Sequence, residues 1–190
     1  MAKKDMILAG VGGQGILSIA TVIGWAALDM DLQLKQAEVH GMSQRGGDVQ
    51  SNLRISTGKI WSDLIPRGGC DLIISLEPME ALRYLPWLSP EGWIVTGSAP
   101  VKNIGNYPDL DAVKKELAAV GRVVSLDCDA VAGTVGSPKS ANMVLLGAAA
   151  PKIGIITPDK LREGIAEVFR RKGDKVVEMN MAAFDAGLGK

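Results

Sequence analysis

Apolar and polar positions along the chain change period several times, and each change marks an element. Met6, Ile7, Leu8 and Ala9 form a short apolar run within Asp5 to Ala9 that ends at Gly10. Beyond Gly15, the residues Ile16, Ile19, Ala20, Ile23 and Ala27 recur at helical spacing, which predicts a strand, a glycine turn and a long helix. Gln33 to Val39 reads as a second strand. In Val49 to Ile55, the positions Val49, Ser51, Leu53 and Ile55 alternate against polar neighbours, and a Thr57-Gly58 turn then leads into Lys59 to Ser62. These last two segments predict an antiparallel hairpin.

Asp71 to Leu76 is a continuous β-rich run suited to a strand covered on both faces. Pro78 opens a helix carrying Met79, Leu82 and Leu85, and Pro86 stops it. Gly92 to Thr96 and Arg122 to Leu126 repeat the strand signal, with a helical segment from Leu110 to Val120 between them. Ser137-Pro138 and Thr157-Pro158 each set a hydroxyl before a proline at the first helical position. Leu161, Ile165, Val168 and Phe169 line one face of the second of these helices, and Val176 to Ala186 is also expected to be helical. Strands alternating with helices, plus one hairpin, imply a three-layer α/β/α sandwich of Rossmann-like type. Its sheet is mostly parallel with an antiparallel hairpin element, and residues 1–190 form one domain without repeat, linker or low-complexity segment.

Composition supports this picture and removes several functions. With 190 residues, 47% of them apolar, and a mean hydropathy of +0.16, the chain can bury a substantial core. Its 23 glycines exceed the roughly 7% of average usage and point to tight loops. Lys plus Arg and Asp plus Glu each total 21, so no basic field exists to gather the phosphates of a nucleic acid. The longest apolar stretch, Ile16 to Leu28, is broken by Ser18, Thr21 and Gly24 and falls short of the ~20 residues of a membrane span. Met6 to Val11 is too short for a signal-peptide core, so a cytoplasmic protein without membrane contact is expected. Cys70, Cys128 and the single histidine, His40, are too few for a zinc site or iron–sulfur cluster built from this chain alone.

Gly10-x-Gly12-x-x-Gly15 follows a strand and opens a helix, the context that gives this pattern meaning. Glycine allows a sharp turn and close backbone approach, and a helix N-terminus offers free N–H groups to phosphate. Glu38 is the only candidate for the acid that usually binds ribose in such sites. The alternative is that these glycines serve only tight strand–helix packing. Downstream, Ser43-Gln44-Arg45-Gly46-Gly47 concentrates donors: the paired glycines can form an anion nest, and Arg45 can bind a phosphate or carboxylate through two parallel bonds. A surface loop whose arginine pairs with Glu38 or Asp48 is the simpler alternative. His40 has no nucleophile arrangement around it, so a local backbone bond competes with general-base chemistry. In Asp127-Cys128-Asp129 the adjacent residues cannot all face one metal ion, and a helix cap is expected. Trp25, Trp61, Trp87 and Trp93 show no base-stacking spacing and read as core or interface anchors.

Together these segments resemble the gamma subunits and gamma domains of the 2-oxoacid:ferredoxin oxidoreductases, nearest the small (beta) subunits of the indolepyruvate enzymes. The resemblance is carried by Gly10-Val11-Gly12-Gly13-Gln14-Gly15, by Glu38 to Gly47, by Val49 to Ile55, by Asp71 to Arg83 and by Ser140 to Ala148, and so runs over most of the chain. It implies an accessory subunit, inactive alone, of an anaerobic complex that decarboxylates a 2-oxo acid oxidatively on thiamine diphosphate. Such a complex passes electrons through iron–sulfur clusters to ferredoxin and releases an acyl-CoA. Thiamine diphosphate and the clusters are expected on a larger alpha subunit, so ferredoxin is met only indirectly, and no catalytic residue or metal is expected here. The family's two loops map onto Gly10, Gly12, Gly13, Gln14 and Gly15 and onto Ser43, Gln44, Arg45, Gly46 and Gly47, where coenzyme A or the partner subunit is the implied contact. Two other readings stay open: a free-standing NAD- or FAD-binding protein, and a purely structural assembly subunit. Exposed apolar surface would also support pairing with a second copy in isolation.

Overall fold

Met6 to Ala9 is fully buried, and its alternate side chains enter different cores: Met6 and Leu8 join one cluster, Ile7 and Ala9 the other. A strand covered on both faces is the arrangement that such an unbroken apolar run favours. The structure, a computed structural model, describes residues 1–40, 47–102 and 104–190. Six strands form one sheet: β1 (Lys3–Val11), β2 (Gln33–His40), β3 (Asp48–Ser56), β4 (Cys70–Ser75), β5 (Leu88–Gly97) and β6 (Val123–Leu126), in the order β2-β3-β1-β4-β5-β6.

Only β3 runs against the other five. It pairs antiparallel with both β1 and β2, whereas β1–β4, β4–β5 and β5–β6 are parallel. The expected hairpin is thereby corrected. Val49 to Ile55 does not pair with Lys59 to Ser62; its partner on that side is β2, in a register running from Gln33 opposite Ser56 to His40 opposite Val49. The longer β2 offers a full-length ladder. Residues 57–69 are instead pinned as a loop by Arg54, whose Nη1 donates to the carbonyls of Ser62 and Leu64 at 3.0 Å each.

Helices cover both faces. α1 (Ile16–Asp29), α4 (Cys128–Thr134), α5 (Ala141–Ile153), α6 (Pro158–Phe169) and α7 (Asp174–Leu188) pack with the larger cluster. α2 (Pro78–Arg83) and α3 (Leu110–Val120) lie with the smaller one. This is the expected three-layer arrangement. Caps explain several boundaries: Asp109 accepts from the N–H groups of Asp111 and Ala112 to start α3, and Gly121, at φ 79°, ends it. Thr157 accepts from the Lys160 N–H, and Asp127 from that of Ala130. The cap expected at Ser137-Pro138 is not formed. Ser137 and Ser140 bond to each other through their hydroxyls at 2.7 Å, making a turn, and α5 starts only at Ala141. Trp25, Trp87 and Trp93 are half-buried against the clusters, while Trp61 is 81% exposed.

Candidate functional site

The chain leaves β1 for β2 on one side of the sheet and later reaches β4 on the other, so the order reverses between β1 and β4. Crevices at the carboxyl ends of strands at such a switch point are where ligands bind in open α/β sheets. The glycine turn lies there. Gln14 closes it: the Val11 N–H donates to Gln14 Oε1 at 2.7 Å, the Gln14 N–H donates to the Val11 carbonyl at 3.1 Å, and Gln14 Nε2 reaches the Leu76 carbonyl beyond β4 at 3.3 Å. The side chain of Gln14 therefore stitches β1 to β4.

The glycines have separate geometric reasons. A Cβ at Gly10 would lie 2.9 Å from both Gln14 Oε1 and Ile16 Cγ1. Gly13 and Gly15 adopt φ of 102° and 83°, values side-chain-bearing residues avoid, and only open space faces the Cβ position of Gly13. At Gly15 a Cβ would meet Asn142 Nδ2 at 2.7 Å, the atom that donates to the Gly15 carbonyl at 3.1 Å. Gly12 donates its N–H to the Gly47 carbonyl at 2.8 Å, tying the turn to the start of β3. Among the described residues no side chain caps α1; the Ser18 N–H donates to the Gly15 carbonyl at 3.1 Å, and the positive dipole end of the helix is presented at the turn.

Three crevices adjoin this end of α1; one is a mainly apolar hollow bordered by Val11, Ile16, Leu17 and Val49, and the other two carry lysines. Of these two, the first, of about 260 Å³, runs between Gln14, the end of β5 and the segment after it (Gly97, Val101) and the start of α5 (Asn142), with Asp129 and Lys139 at its sides. The second, of about 390 Å³, lies between Gly13, Ser18, Lys139, Lys172, Met179 and Asn180. These two share Gly13, Gln14, Lys139 and Asn142. Two lysines and an uncapped helix N-terminus, opposed by the single carboxylate of Asp129, favour an anionic ligand. Cys128 also borders the first crevice, but burial pushes its thiol up to about 12, helped by the carboxylates of Asp129 and Asp127. Such a thiol is not a nucleophile at neutral pH.

Beside the turn, Asp48 stands opposite Val11 at the start of β3 and accepts the Tyr84 hydroxyl at 2.8 Å. Burial and the Asp48 carboxylate raise the Tyr84 pKa, so this hydroxyl stays a donor. Arg83 clasps the buried Glu80 through Nε at 2.7 Å and Nη2 at 3.1 Å.

The structure thus brings Gly10, Gly12, Gly13, Gln14, Gly15 and Gly47 together. Ser43, Gln44, Arg45 and Gly46 lie outside the described residues. His40 ends β2. Glu38, the one candidate for a ribose-binding acid, lies away from the turn. β3 intervenes between β2 and β1, which sets Glu38 two strand spacings, roughly 10 Å, from the strand that carries the turn. Lys139, Lys172 and Asn180 were not singled out by the sequence. They come from segments with no motif spacing of their own, whereas Asn142 lies within the Ser140 to Ala148 segment. Among the described residues, no three His, Cys, Asp or Glu side chains gather where they could hold a metal ion, and no helix is long and apolar enough to cross a membrane.

Comparison with known proteins finds relatives of this chain in sequence and in fold. The sequence pattern described as "Pyruvate ferredoxin/flavodoxin oxidoreductase" matches residues 5–189. The indolepyruvate oxidoreductase subunit IorB of Thermococcus kodakarensis is 36% identical, over 99% of this chain and 96% of its own length. Its counterpart from Pyrococcus horikoshii is 35% identical over the same shares. Among solved structures, the gamma subunit of a keto/oxoacid ferredoxin oxidoreductase from Geobacter sulfurreducens has the same fold, with a TM-score of 0.75 at 23% identity, covering 100% of this chain and 97% of that one. The 2-oxoglutarate:ferredoxin oxidoreductase from Magnetococcus marinus, solved with 2-oxoglutarate, coenzyme A and succinyl-CoA bound, gives a TM-score of 0.76 at 23% identity, over 100% of this chain and 31% of that one.

Proposed function

The chain belongs to the pyruvate ferredoxin/flavodoxin oxidoreductase family, and from that premise we propose that it is the small accessory subunit of a thiamine-diphosphate-dependent 2-oxo acid:ferredoxin oxidoreductase. Its 2-oxo acid is indolepyruvate or another aryl pyruvate, in keeping with the names of the relatives that are about one-third identical over nearly their whole length. Residues 1–190 act as one domain, in the cytoplasm. The partner is a larger alpha subunit holding thiamine diphosphate and the iron–sulfur clusters, through which ferredoxin is reached. The donor set of this chain fits that division. Its two cysteines are both buried and belong to different core clusters, so they offer no thiolate set for a cluster.

The observation that carries the ligand assignment is the uncapped N-terminus of α1 beside crevices that share Lys139, with Lys172 on the second. We assign this end of the sheet to coenzyme A, whose phosphates suit both the helix end and the lysines. Gly10, Gly12, Gly13, Gln14 and Gly15 shape the contact, and Ser43, Gln44, Arg45, Gly46 and Gly47 complete it. The displaced Glu38 disfavours the free dinucleotide-binding reading, which the isolated chain would reveal by saturable binding of NAD or a flavin.

The test is kinetic and uses the assembled complex, prepared anaerobically by capture through this subunit. A cysteine-rich partner and iron–sulfur absorption in the captured material are expected. Replacing Lys139 and Lys172 together by alanine should raise the coenzyme A KM about tenfold, the effect of losing ~1.4 kcal/mol of binding, while the KM for the 2-oxo acid stays unchanged. An unchanged coenzyme A KM in the assembled variant overturns the ligand assignment. Capture without a partner overturns the subunit assignment.

A further inference from the structure

Behind one wall of the first crevice lies a carboxyl group that the glycine-turn chemistry leaves unused. Glu77, two residues past the end of β4, is 0% exposed and is in no ion pair among the described residues. Hydrogen bonds hold it instead. Its Oε2 accepts the Glu80 N–H at 2.8 Å, capping α2, and its Oε1 accepts the Val101 N–H at 3.4 Å and the Tyr107 hydroxyl. Ser75 fixes the Glu77 backbone from the other side, with Oγ donating to the Glu77 carbonyl at 2.7 Å. A buried carboxyl without a cation depends on such donors, because removing one leaves an acceptor unsatisfied.

Two of these donors belong to the connection between β5 and α3, the same connection whose residues Ala99, Pro100 and Val101 line the crevice. Among its described residues, 98–102 and 104–109, that connection has no helix or strand, so side-chain anchors of this kind decide where it rests. Tyr107 is suited to the role. Burial, and then its contact with Glu77, raise its pKa, keeping the hydroxyl protonated and donating across the neutral range.

We propose that Glu77 is a positioning residue which, through the Tyr107 hydroxyl and the Val101 amide, holds residues 99–101 as the crevice wall and so sets the affinity for coenzyme A. The proposal rests on the coenzyme A reading and adds to it a site control that touches no ligand. Glu77 is fully buried and does not itself line the crevice. Its loss therefore acts on how the wall is held rather than on the turnover of bound substrate.

The experiment uses the assembled complex with Tyr107→Phe, which removes one donor and leaves the α2 cap in place, and with Glu77→Gln as the second variant. Hydrogen exchange at the Val101 amide should quicken in both. The coenzyme A KM should rise roughly three- to tenfold, the span expected for one net hydrogen bond, with kcat and the 2-oxo acid KM within about twofold. Unchanged exchange at Val101 in both variants overturns the anchoring role. Faster exchange with an unchanged coenzyme A KM, in a preparation where the lysine variant does raise it, overturns the link to affinity alone. An unchanged coenzyme A KM in the lysine variant as well removes the coenzyme A reading itself, and the proposal with it.

Discussion

Gly147 on α5 and Gly187 on α7 are each occupied, at the place where a Cβ would stand, by backbone of the other helix. A Cβ on Gly147 would lie 2.0 Å from the Phe184 carbonyl oxygen, and one on Gly187 would lie 2.0 Å from the Val144 carbonyl oxygen. The two helices therefore meet backbone to backbone, with no side chain able to yield. Gly147→Ala or Gly187→Ala should cost about 3 kcal/mol, the upper end of typical overpacking, read as a shift of the denaturation midpoint. A loss below ~1 kcal/mol would show that the helices can separate at little expense.

Gly15→Ala combines two penalties, a left-handed backbone and a clash with Asn142 Nδ2. The backbone part alone is worth about 1–2 kcal/mol. Adding Asn142→Ala should remove the clash, so the double variant should be less destabilised than the sum of the single variants. Strict additivity in chemical denaturation would mean that Asn142 does not confine this glycine.

Asp5 gives the stability curve an acid limb. Burial pushes its pKa up, but hydrogen bonds from Arg54 and Lys3 outweigh this, and the pKa ends below the ordinary 3.8. Because the folded state holds the charged form more strongly, the contribution is present above pH 3.8 and is lost as pH falls through the lower folded value. Asp5→Asn leaves the Arg54 guanidinium, bound at 2.8 Å by Nε, without its carboxylate. It should cost roughly 1–3 kcal/mol at neutral pH and flatten the curve below pH 3.8. Denaturation measured as a function of pH checks both.

Cys128 and Cys70 should resist alkylation in the folded chain. Burial pushes each thiol up to about 12, so the thiolate is scarce at pH 8 and access is closed. Mass spectrometry after brief iodoacetamide treatment should find both unmodified until denaturant is added. Rapid labelling of Cys128 alone would show that the crevice beside it opens.

What the sequence disclosed follows from how local each signal is. Leu110 to Val120 could be bounded to the residue because Asp109 and Gly121 act on their own helix ends. The buried strands β1 and β4 were readable as apolar runs. The partner of Val49 to Ile55 was not, since alternation shows that a strand has two faces but not which neighbour lies beside it. The same holds for the site. Its glycines form a local motif, but Lys139 and Lys172 arrive from the segments before α5 and α7, and only the packing of those helices puts them beside α1.

The glycine turn depends on distant parts of the chain: Gln14 ties it to Leu76, 62 positions away, and Asn142 ties to it across 127. A nascent chain that has not yet released α5 consequently has the motif without its surroundings. A ligand that needs this turn binds the folded chain and not its partly folded forms, so its binding energy adds to the stability of the whole sheet. At a hundredfold excess over Kd that addition is about 2.7 kcal/mol, and melting of the entire chain becomes a readout of occupancy at one corner of it.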